Sequence, residues 1–263
     1  MKQLLHELRL VFIALQFLTR VPVPRSIGFE PDWLNQSARW FPLVGMFVGS
    51  VVAFTLWMAG RVFPPAVAVG LSIAAGVLLT GGFHEDGLAD TADALGGVVS
   101  RERALEIMKD SRIGSYGALA LVIVLGLKAS VLTAMLPALA IPALLLAHAA
   151  SRAVAVLVIR VLPYAGDLEH AKAKPLARRV SRGGMWVALG SVGLLGGALV
   201  WRTPGQGAMM LASLAMLALG AAASVGWLRR RLGGYTGDAL GATQQVTELL
   251  ALLGWLGAAH WAG

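Results

Sequence analysis

Five long stretches of this chain contain no Asp, Glu, Lys or Arg. They cover residues 40–60, 62–84, 129–151, 183–201 and 203–228. A helix of about 20 apolar residues crosses the roughly 30 Å hydrocarbon core of a bilayer, and each of these stretches is about that long. The composition agrees, because 57% of the residues are hydrophobic and only 14% are charged, whereas soluble domains carry roughly a quarter. The sequence therefore predicts an all-α, polytopic integral membrane helix bundle.

Two further spans are predicted if each accepts one ionisable side chain. Residues 113–136 contain Lys128 as their only charged residue, and residues 239–260 contain Glu248. Together with the five charge-free stretches they give about seven transmembrane helices in a single domain, residues 1–263. Ionisable groups at membrane depth are costly and usually have partners, so Lys128 and Glu248 are also candidates for function.

The first 39 residues are predicted to lie at the membrane interface. They read as an amphipathic helix followed by a turn at Pro22 and Pro24. The apolar part of this helix does not end in a small-residue cleavage site, so no removable signal peptide is expected.

Basic residues are concentrated in alternate loops. They are frequent in the N-terminal segment and in residues 85–112, 162–182 and 229–238, whereas the opposite loops hold only Arg61 and Arg202. The positive-inside bias places the basic loops in the cytoplasm. The net charge of +8 is therefore attributed to membrane topology, and no nucleic-acid partner is expected, because aromatic and basic residues do not interleave. The absence of cysteine excludes disulfides and thiolate chemistry.

The most informative segment is an acidic stretch flanked by the glycine pairs Gly81-Gly82 and Gly96-Gly97. Its four carboxylates are Glu85, Asp86, Asp90 and Asp93. On a helix the three aspartates fall within roughly 60° of one another, so one face presents three carboxylates. Mg²⁺ takes oxygen ligands and would relieve their repulsion, so a metal site is predicted here at the cytoplasmic end of a span, within residues 83–113. The alternative is that the acids solvate a loop or cap a helix N-terminus.

A second polar segment, residues 106–117, leads into a predicted span. Lys109 and Arg112 offer cationic donors, and the guanidinium fork suits phosphate oxygens. Gly114 and Ser115 offer free backbone N–H groups at a helix N-terminus. The segment therefore predicts a phosphate site, with ordinary snorkelling of cations at a membrane boundary as the alternative.

Polar side chains are also expected inside the bundle. Lys128 and Arg152 are predicted to reach inward, towards the acidic cluster or a substrate anion, with snorkelling as the alternative. Asp238, Gln245 and Glu248 share a helix face about 80° wide. This face predicts a polar cavity, or else packing against polar groups of another helix.

These residues predict a cytoplasm-facing membrane enzyme that uses Mg²⁺ to handle a phosphate or pyrophosphate group. No Ser, Cys or His triad is evident in the sequence. In phosphoryl-type transfer the protein mainly positions the reactants and neutralises charge, which carboxylate-held Mg²⁺ and Arg or Lys donors do.

Five motifs are distributed along nearly the whole chain. They are FLTRVPVP at residues 17–24, WFPLVG at 40–45, the acidic stretch at 81–97, MKDSRIGSYG at 108–117 and GYTGDALG at 234–241. Together they resemble the cobalamin synthases, which are adenosylcobinamide-GDP ribazoletransferases of bacterial inner membranes. The resemblance implies a condensation late in vitamin B12 synthesis: α-ribazole or its 5′-phosphate attacks adenosylcobinamide-GDP, and GMP leaves.

The resemblance also implies roles for individual residues. The expected Mg²⁺ ligands are Glu85, Asp86, Asp90 and Asp93. The expected catalytic residues are Asp86, Asp90, Asp93 and Asp110. The expected substrate-binding residues are His84, Lys109, Arg112, Ser115, Tyr116, Arg152, Tyr235, Asp238 and Glu248. The loop at residues 163–167 is placed outside the core site, because Gly166 stands where the family often has a basic residue. The general base and the oligomeric state, a homo-oligomer included, are left open.

Two other functions fit less well. A CDP-alcohol-type phospholipid phosphotransferase would use similar chemistry, but its Asp-x-x-Asp-Gly motif, followed by Ala-Arg and two later Asp residues, does not match Glu85-Asp86-Gly87. A membrane transporter would line an ion path with intramembrane charges. Against it, the acids cluster at one interface and no inverted repeat is evident.

Overall fold

The computed structural model describes residues 2–28, 30–166 and 176–262, and this part of the chain contains eleven α-helices. The helices are α1 (Lys2–Leu18), α2 (Pro31–Ser37), α3 (Phe41–Ala59), α4 (Pro65–Thr80), α5 (Phe83–Leu95), α6 (Arg101–Ile107), α7 (Ser115–Thr133), α8 (Pro137–Val161), α9 (Arg182–Arg202), α10 (Gly207–Leu232) and α11 (Gly237–Ala262). Short 3₁₀ turns cover Arg25–Ile27 and Ala38–Trp40. Lys172 and Lys174, two of the basic loop residues, lie outside the described residues.

Several described segments are long and apolar enough to cross a membrane. They are Asp32–Ala59, Ser115–Thr133, Pro137–Val161, Arg182–Arg202 and Gly207–Leu232. A sixth results if α4 and α5, which meet at a bend of 89°, count as one broken span. The predicted polytopic membrane helix bundle is thus confirmed. Helix α11 lies where the last span is predicted but is not among these segments, so the count of seven stays a prediction.

One predicted span boundary is wrong. The charge-free run at residues 129–151 is divided between two helices, because α7 ends at Thr133 and α8 begins at Pro137. Proline is suited to the first position of a helix and forces the preceding residue into extended backbone. Leu136 accordingly has φ −64° and ψ 148°. A charge-free run marks apolar sequence but does not show where the chain turns.

Helix α8 is the central helix of the bundle. It packs against α3, α9, α10 and α11, and most of its side chains are buried. Gly45 and Gly49 let α3 approach closely, since a Cβ at Gly49 would lie 3.1 Å from the Cβ of His148. Small residues permit such close helix packing in membranes. His148 and Arg152 therefore lie inside the protein, away from lipid.

Helix α1 lies where the N-terminal amphipathic helix is predicted. Its Leu10, Ile13 and Leu18 are buried against the bundle, while Leu4 and Leu5 are exposed. The helix packs against α2 and α3. Its position at a membrane interface stays a prediction.

The acidic helix α5 is turned away from α4 by the first glycine pair. Gly81 and Gly82 have φ of 73° and 71°, a backbone conformation that suits glycine. The N–H of Gly82 donates to the carbonyl of Val77 at 2.9 Å and closes α4. The N–H of Arg20 donates to the carbonyl of Leu79 at 2.8 Å, which joins the segment after α1 to the same bend. This bend sets the direction in which α5 leaves the apolar part of the bundle.

Candidate active site

The predicted acidic face is present on α5. Residues Phe83–Leu95 form one helix, so Asp86, Asp90 and Asp93 share a face. Asp86 is exposed, and Asp90 and Asp93 are partly buried. The structure therefore places three carboxylates along one side of the helix.

Asp93 holds the beginning of α7. The N–H of Gly114 donates to Asp93 Oδ2 at 2.7 Å, and the N–H of Gly117 donates to Oδ1 at 2.8 Å. These N–H groups belong to the first turn of a helix, which has no internal acceptors for them. Asp93 thus caps the N-terminus of α7, which is one of the alternatives predicted for the acidic cluster. Its predicted metal and catalytic roles stay predictions.

The other face of α5 packs tightly against the start of α11. A Cβ at Gly87 would lie 2.7 Å from the carbonyl oxygen of Asp238, and one at Gly241 would lie 3.2 Å from the carbonyl oxygen of His84. Two glycines therefore bring the acidic stretch and the 234–241 motif into direct contact. Asp238 has partners of its own, as do Asp90 and Lys109.

The second polar segment forms an exposed ion pair. Arg112 Nη2 lies 2.6 Å from Asp110 Oδ2, and the backbone N–H of Arg112 donates to Asp110 Oδ1 at 3.1 Å. The side-chain hydrogen bond from Arg112 lowers the pKa of Asp110 to about 2. The Arg112 side chain is 87% exposed, so solvent screens the pair. Ser115 begins α7 as predicted, and the half-exposed Tyr116 lies beside Gly96.

A cluster of buried polar side chains lies deeper in the bundle, which we call the Glu248 cluster. Its members are Lys128, His148, Arg152, Gln244, Gln245 and Glu248. Lys128 Nζ donates to Glu248 Oε1 at 2.7 Å. His148 Nδ1 lies 3.0 Å from Glu248 Oε2, and Arg152 Nη1 lies 3.9 Å from the same oxygen. Lys128 is only 5% exposed, so the snorkelling alternative is wrong for it, and Arg152 also reaches inward.

The Glu248 cluster and the acidic helix share a small cavity. The cavity has a volume of about 40 Å³ and is lined by residues that include His84, Glu85, Lys128 and Arg152. That volume has room for about three or four water molecules, on the basis of about 10–15 Å³ for each. Glu85 Oε2 and Arg152 Nε are buried without a hydrogen-bond partner among the described residues. The cavity therefore adjoins one side chain with an unused acceptor and one with an unused donor.

Several members of this arrangement were not predicted from the sequence. His148 and Gln244 were not predicted as site residues, although His148 stands one helical turn before Arg152 inside a charge-free run. Tyr235 is buried, which raises its pKa. Its backbone N–H donates to the carbonyl of Pro163 at 3.0 Å, and the N–H of Ala165 donates back to the Tyr235 carbonyl at 2.8 Å. The loop placed outside the core site is thus attached to the 234–241 motif, through backbone contacts that side-chain patterns do not reveal.

The carboxylates of the described residues do not form a closed metal cage. No three His, Asp or Glu side chains in residues 2–28, 30–166 and 176–262 converge closely enough to hold an ion by themselves. Mg²⁺ is usually bound by one or two carboxylates together with water and substrate phosphates. The exposed Asp86 and the unused oxygen of Glu85 match that kind of open, oxygen-only site.

Comparison with known proteins gives one consistent result. The family model described as cobalamin-5-phosphate synthase matches residues 10–256. A protein of Leptothrix cholodnii named adenosylcobinamide-GDP ribazoletransferase is 60% identical, over 97% of this chain and 98% of that protein. Proteins of the same name from Vibrio cholerae (43% identical, over 94% of this chain and 93% of theirs) and Ralstonia nicotianae (46% identical, over 96% of each) also match. No solved structure matches the chain. With its membrane helix bundle and its acidic helix, the chain belongs to the cobalamin-5-phosphate synthase family.

Proposed function

We propose that this protein is an adenosylcobinamide-GDP ribazoletransferase acting in the assembly of the nucleotide loop of vitamin B12. The observation that carries the proposal is the 60% identity to a ribazoletransferase over nearly the full length of both chains. All five motifs quoted from the sequence lie within the described residues. The acidic motif and the 234–241 motif are in direct contact there.

The reaction transfers a substituted phosphate group. The hydroxyl oxygen of α-ribazole, or of its 5′-phosphate, forms a bond to the cobinamide-bound phosphorus of adenosylcobinamide-GDP. The bond from that phosphorus to the bridging oxygen breaks, and GMP leaves with this oxygen. The proton of the attacking hydroxyl passes to a carboxylate or to water.

The carboxylates on α5 fit a magnesium site for this reaction. Glu85, Asp86, Asp90 and Asp93 offer only oxygen donors, which a hard cation prefers. When bound there, Mg²⁺ would neutralise charge on the pyrophosphate. Asp93 also holds the first turn of α7, so it ties the phosphate-binding segment to the acidic helix.

The exposed cations beside α5 would bind the anionic end of the nucleotide. Arg112 and Lys109 are exposed at the end of α6 and before α7. Arg112 pairs with Asp110, so an incoming phosphate would compete with that carboxylate for the guanidinium fork. Ser115 and Tyr116 at the start of α7 would contact the same end of the substrate.

We place the site on the cytoplasmic face of a bacterial inner membrane. The basic residues of the N-terminal segment and of alternate loops support this orientation by the positive-inside bias. Arg112 and most of the acidic helix belong to one of these basic segments, residues 85–112. A cytoplasmic face would also give the site access to nucleotide substrates.

The proposal is tested by turnover of the purified protein in detergent or liposomes. Adenosylcobinamide-GDP and α-ribazole are supplied with and without Mg²⁺, and GMP is followed by chromatography. Mg²⁺-dependent release of GMP together with cobalamin is the expected result. Folded protein that releases no GMP with α-ribazole or its 5′-phosphate would contradict the proposal, and turnover with a CDP-activated lipid instead would support a phospholipid phosphotransferase.

A further inference from the structure

A continuous hydrogen-bonded link joins the Glu248 cluster to the acidic helix. Lys128 Nζ donates to Gln245 Oε1 at 2.6 Å, and Gln245 Nε2 donates to Glu85 Oε1 at 3.0 Å. Lys128 and Gln245 are buried. The three side chains come from α7, α11 and α5, so the link depends on the packing of three helices.

The charges at its two ends fix the orientation of the Gln245 amide. An ammonium group can only donate, so the amide oxygen must face Lys128. The NH₂ group is then directed to acceptors, which are Glu85 Oε1 and, at 3.1 Å, Gln244 Oε1. A flipped amide would set NH₂ against NH₃⁺ and lose these bonds.

Through this link, Glu85 accepts a hydrogen bond from the uncharged amide of Gln245, and Lys128 forms its ion pair with a different carboxylate. The charge of Lys128 is balanced by Glu248, whose Oε1 lies 2.7 Å from Nζ. Gln245 stands between Lys128 and Glu85 and contributes no charge of its own. Glu85 is therefore held by one oxygen, while its second oxygen is buried without a partner among the described residues.

We propose that Gln245 is a positioning residue that acts through Glu85, presenting the second carboxylate oxygen of Glu85 to the ligand of the acidic helix. This inference rests on the proposed function, because the ligand is the divalent cation and phosphate pair expected there. Lys128 has the supporting role of fixing the amide of Gln245. Removing a residue that orients a metal-binding carboxylate typically lowers metal affinity or activity about 10–100-fold.

Two substitutions separate the donor function of Gln245 from its volume. Gln245→Leu removes the hydrogen bonds to Lys128, Glu85 and Gln244. Gln245→Glu keeps an acceptor for Lys128, but it loses the donor to Glu85 and Gln244 and places a second carboxylate beside Glu85. Gln206→Leu is the matched control, since Gln206 contacts the carbonyl of Ala138 in a different part of the bundle. Mn²⁺ binding to detergent-purified protein with adenosylcobinamide-GDP, but without ribazole, is followed by electron paramagnetic resonance. Steady-state GMP release is measured in parallel.

The expected result is a loss of about 10–100-fold in Mn²⁺ affinity and in kcat for both Gln245 variants. If Gln245 acts only through Glu85, the KM values for the two substrates should stay within about twofold, and Gln206→Leu should match the unsubstituted protein. Wild-type Mn²⁺ affinity and kcat in Gln245→Glu would overturn the inference. That outcome would leave the proposed function intact, which the GMP release of the unsubstituted protein establishes separately.

A double-mutant cycle distinguishes positioning from a general loss of structure. If Gln245 acts through Glu85, the Glu85→Gln, Gln245→Leu double variant should bind Mn²⁺ no more weakly than Glu85→Gln alone. Losses that simply add would show that Gln245 acts independently of Glu85 and would overturn the inference. A Gln245→Leu variant that unfolds would leave the decision to Gln245→Glu, which preserves the side-chain size and the Lys128 contact.

Discussion

The acidic face of α5 and the Glu248 cluster are built from the same kinds of residues, but their charges are balanced in opposite ways. Glu248 is buried and surrounded by Lys128, His148, Arg152 and the amide of Gln244. On α5, by contrast, Asp86 is exposed to solvent. The charge of the buried Glu248 is thus balanced by neighbouring cations, whereas the negative charge at the surface stays available to a ligand.

The difference follows from the cost of burying charge. A carboxylate removed from water must be paired and hydrogen-bonded, because an uncompensated buried charge is strongly destabilising. Near the surface, water and mobile ions stabilise a carboxylate, so excess charge is retained at modest cost. The Glu248 cluster is therefore expected to respond to substitution mainly in stability, and α5 mainly in activity.

The largest expected effect is on stability, in Glu248→Leu. This variant leaves Lys128 and Arg152 buried without their counter-charge and should lose about 3–5 kcal/mol of unfolding free energy. Denaturant unfolding in detergent, followed by circular dichroism, measures the loss. Glu106→Gln, which breaks the exposed Arg103–Glu106 pair, should cost less than about 1 kcal/mol. Equal stability of the two variants would refute the contrast between the regions.

Asp86→Asn should affect activity alone. The side chain is exposed, so unfolding should be unchanged. Loss of the proposed metal-binding oxygen should lower kcat by about 100-fold or more, beyond the range for residues that only orient a ligand. GMP release measures the loss, and Asp32→Asn, an exposed aspartate on α2, is the control. Near-normal turnover of Asp86→Asn would remove Asp86 from the metal site.

Gly87→Ala should weaken both properties, because Gly87 lies where the two helices of the site meet. Its Cβ would lie 2.7 Å from the Asp238 carbonyl oxygen, so α5 and α11 must separate. Overpacking of this kind costs about 1–3 kcal/mol, partly offset by the better helix propensity of alanine. Gly97→Ala, whose Cβ would meet nothing within 4 Å, should behave as the unsubstituted protein in unfolding and in GMP release. A Gly87→Ala protein with unchanged stability would show that the helices are not in tight contact.

Local patterns in the sequence were sufficient for the bundle and for the acidic face. Apolar runs and the spacing of Asp86, Asp90 and Asp93 express the geometry of single helices, which needs no knowledge of the neighbours. The glycine pair Gly81-Gly82 was recognised as a marker, but the 89° bend that it permits was not predicted. The helices could thus be predicted from the sequence, but the direction of α5 could not.

Contacts between distant positions could not be read in the same way. Lys128 and Glu248 are 120 positions apart, and Asp93 meets Gly114 and Gly117 across 21 and 24 positions. Lys128 and Glu248 were each noted as isolated charges within predicted spans, and their opposite signs were the available hint that they pair. Gln244 and His148 gave no such hint, because a neutral polar residue within a helix shows its partner only in the folded protein.

The smallest expected effect comes from the exposed ion pair beside the acidic helix. Arg112 is already paired with Asp110 and solvated, so an incoming phosphate gains only what an exposed charge contact adds, about 0.5–1 kcal/mol. Arg112→Ala should therefore raise the KM for adenosylcobinamide-GDP two- to fivefold, with kcat and the KM for α-ribazole unchanged. Arg103→Ala, which removes an arginine paired with Glu106 on α6, controls for a general loss of positive charge. Equal KM changes in the two variants would mean that the site attracts its anionic substrate by overall charge, and that Arg112 makes no specific contact. A change confined to Arg112→Ala would place the nucleotide end of the substrate at the beginning of α7, next to the aspartate that joins this helix to α5.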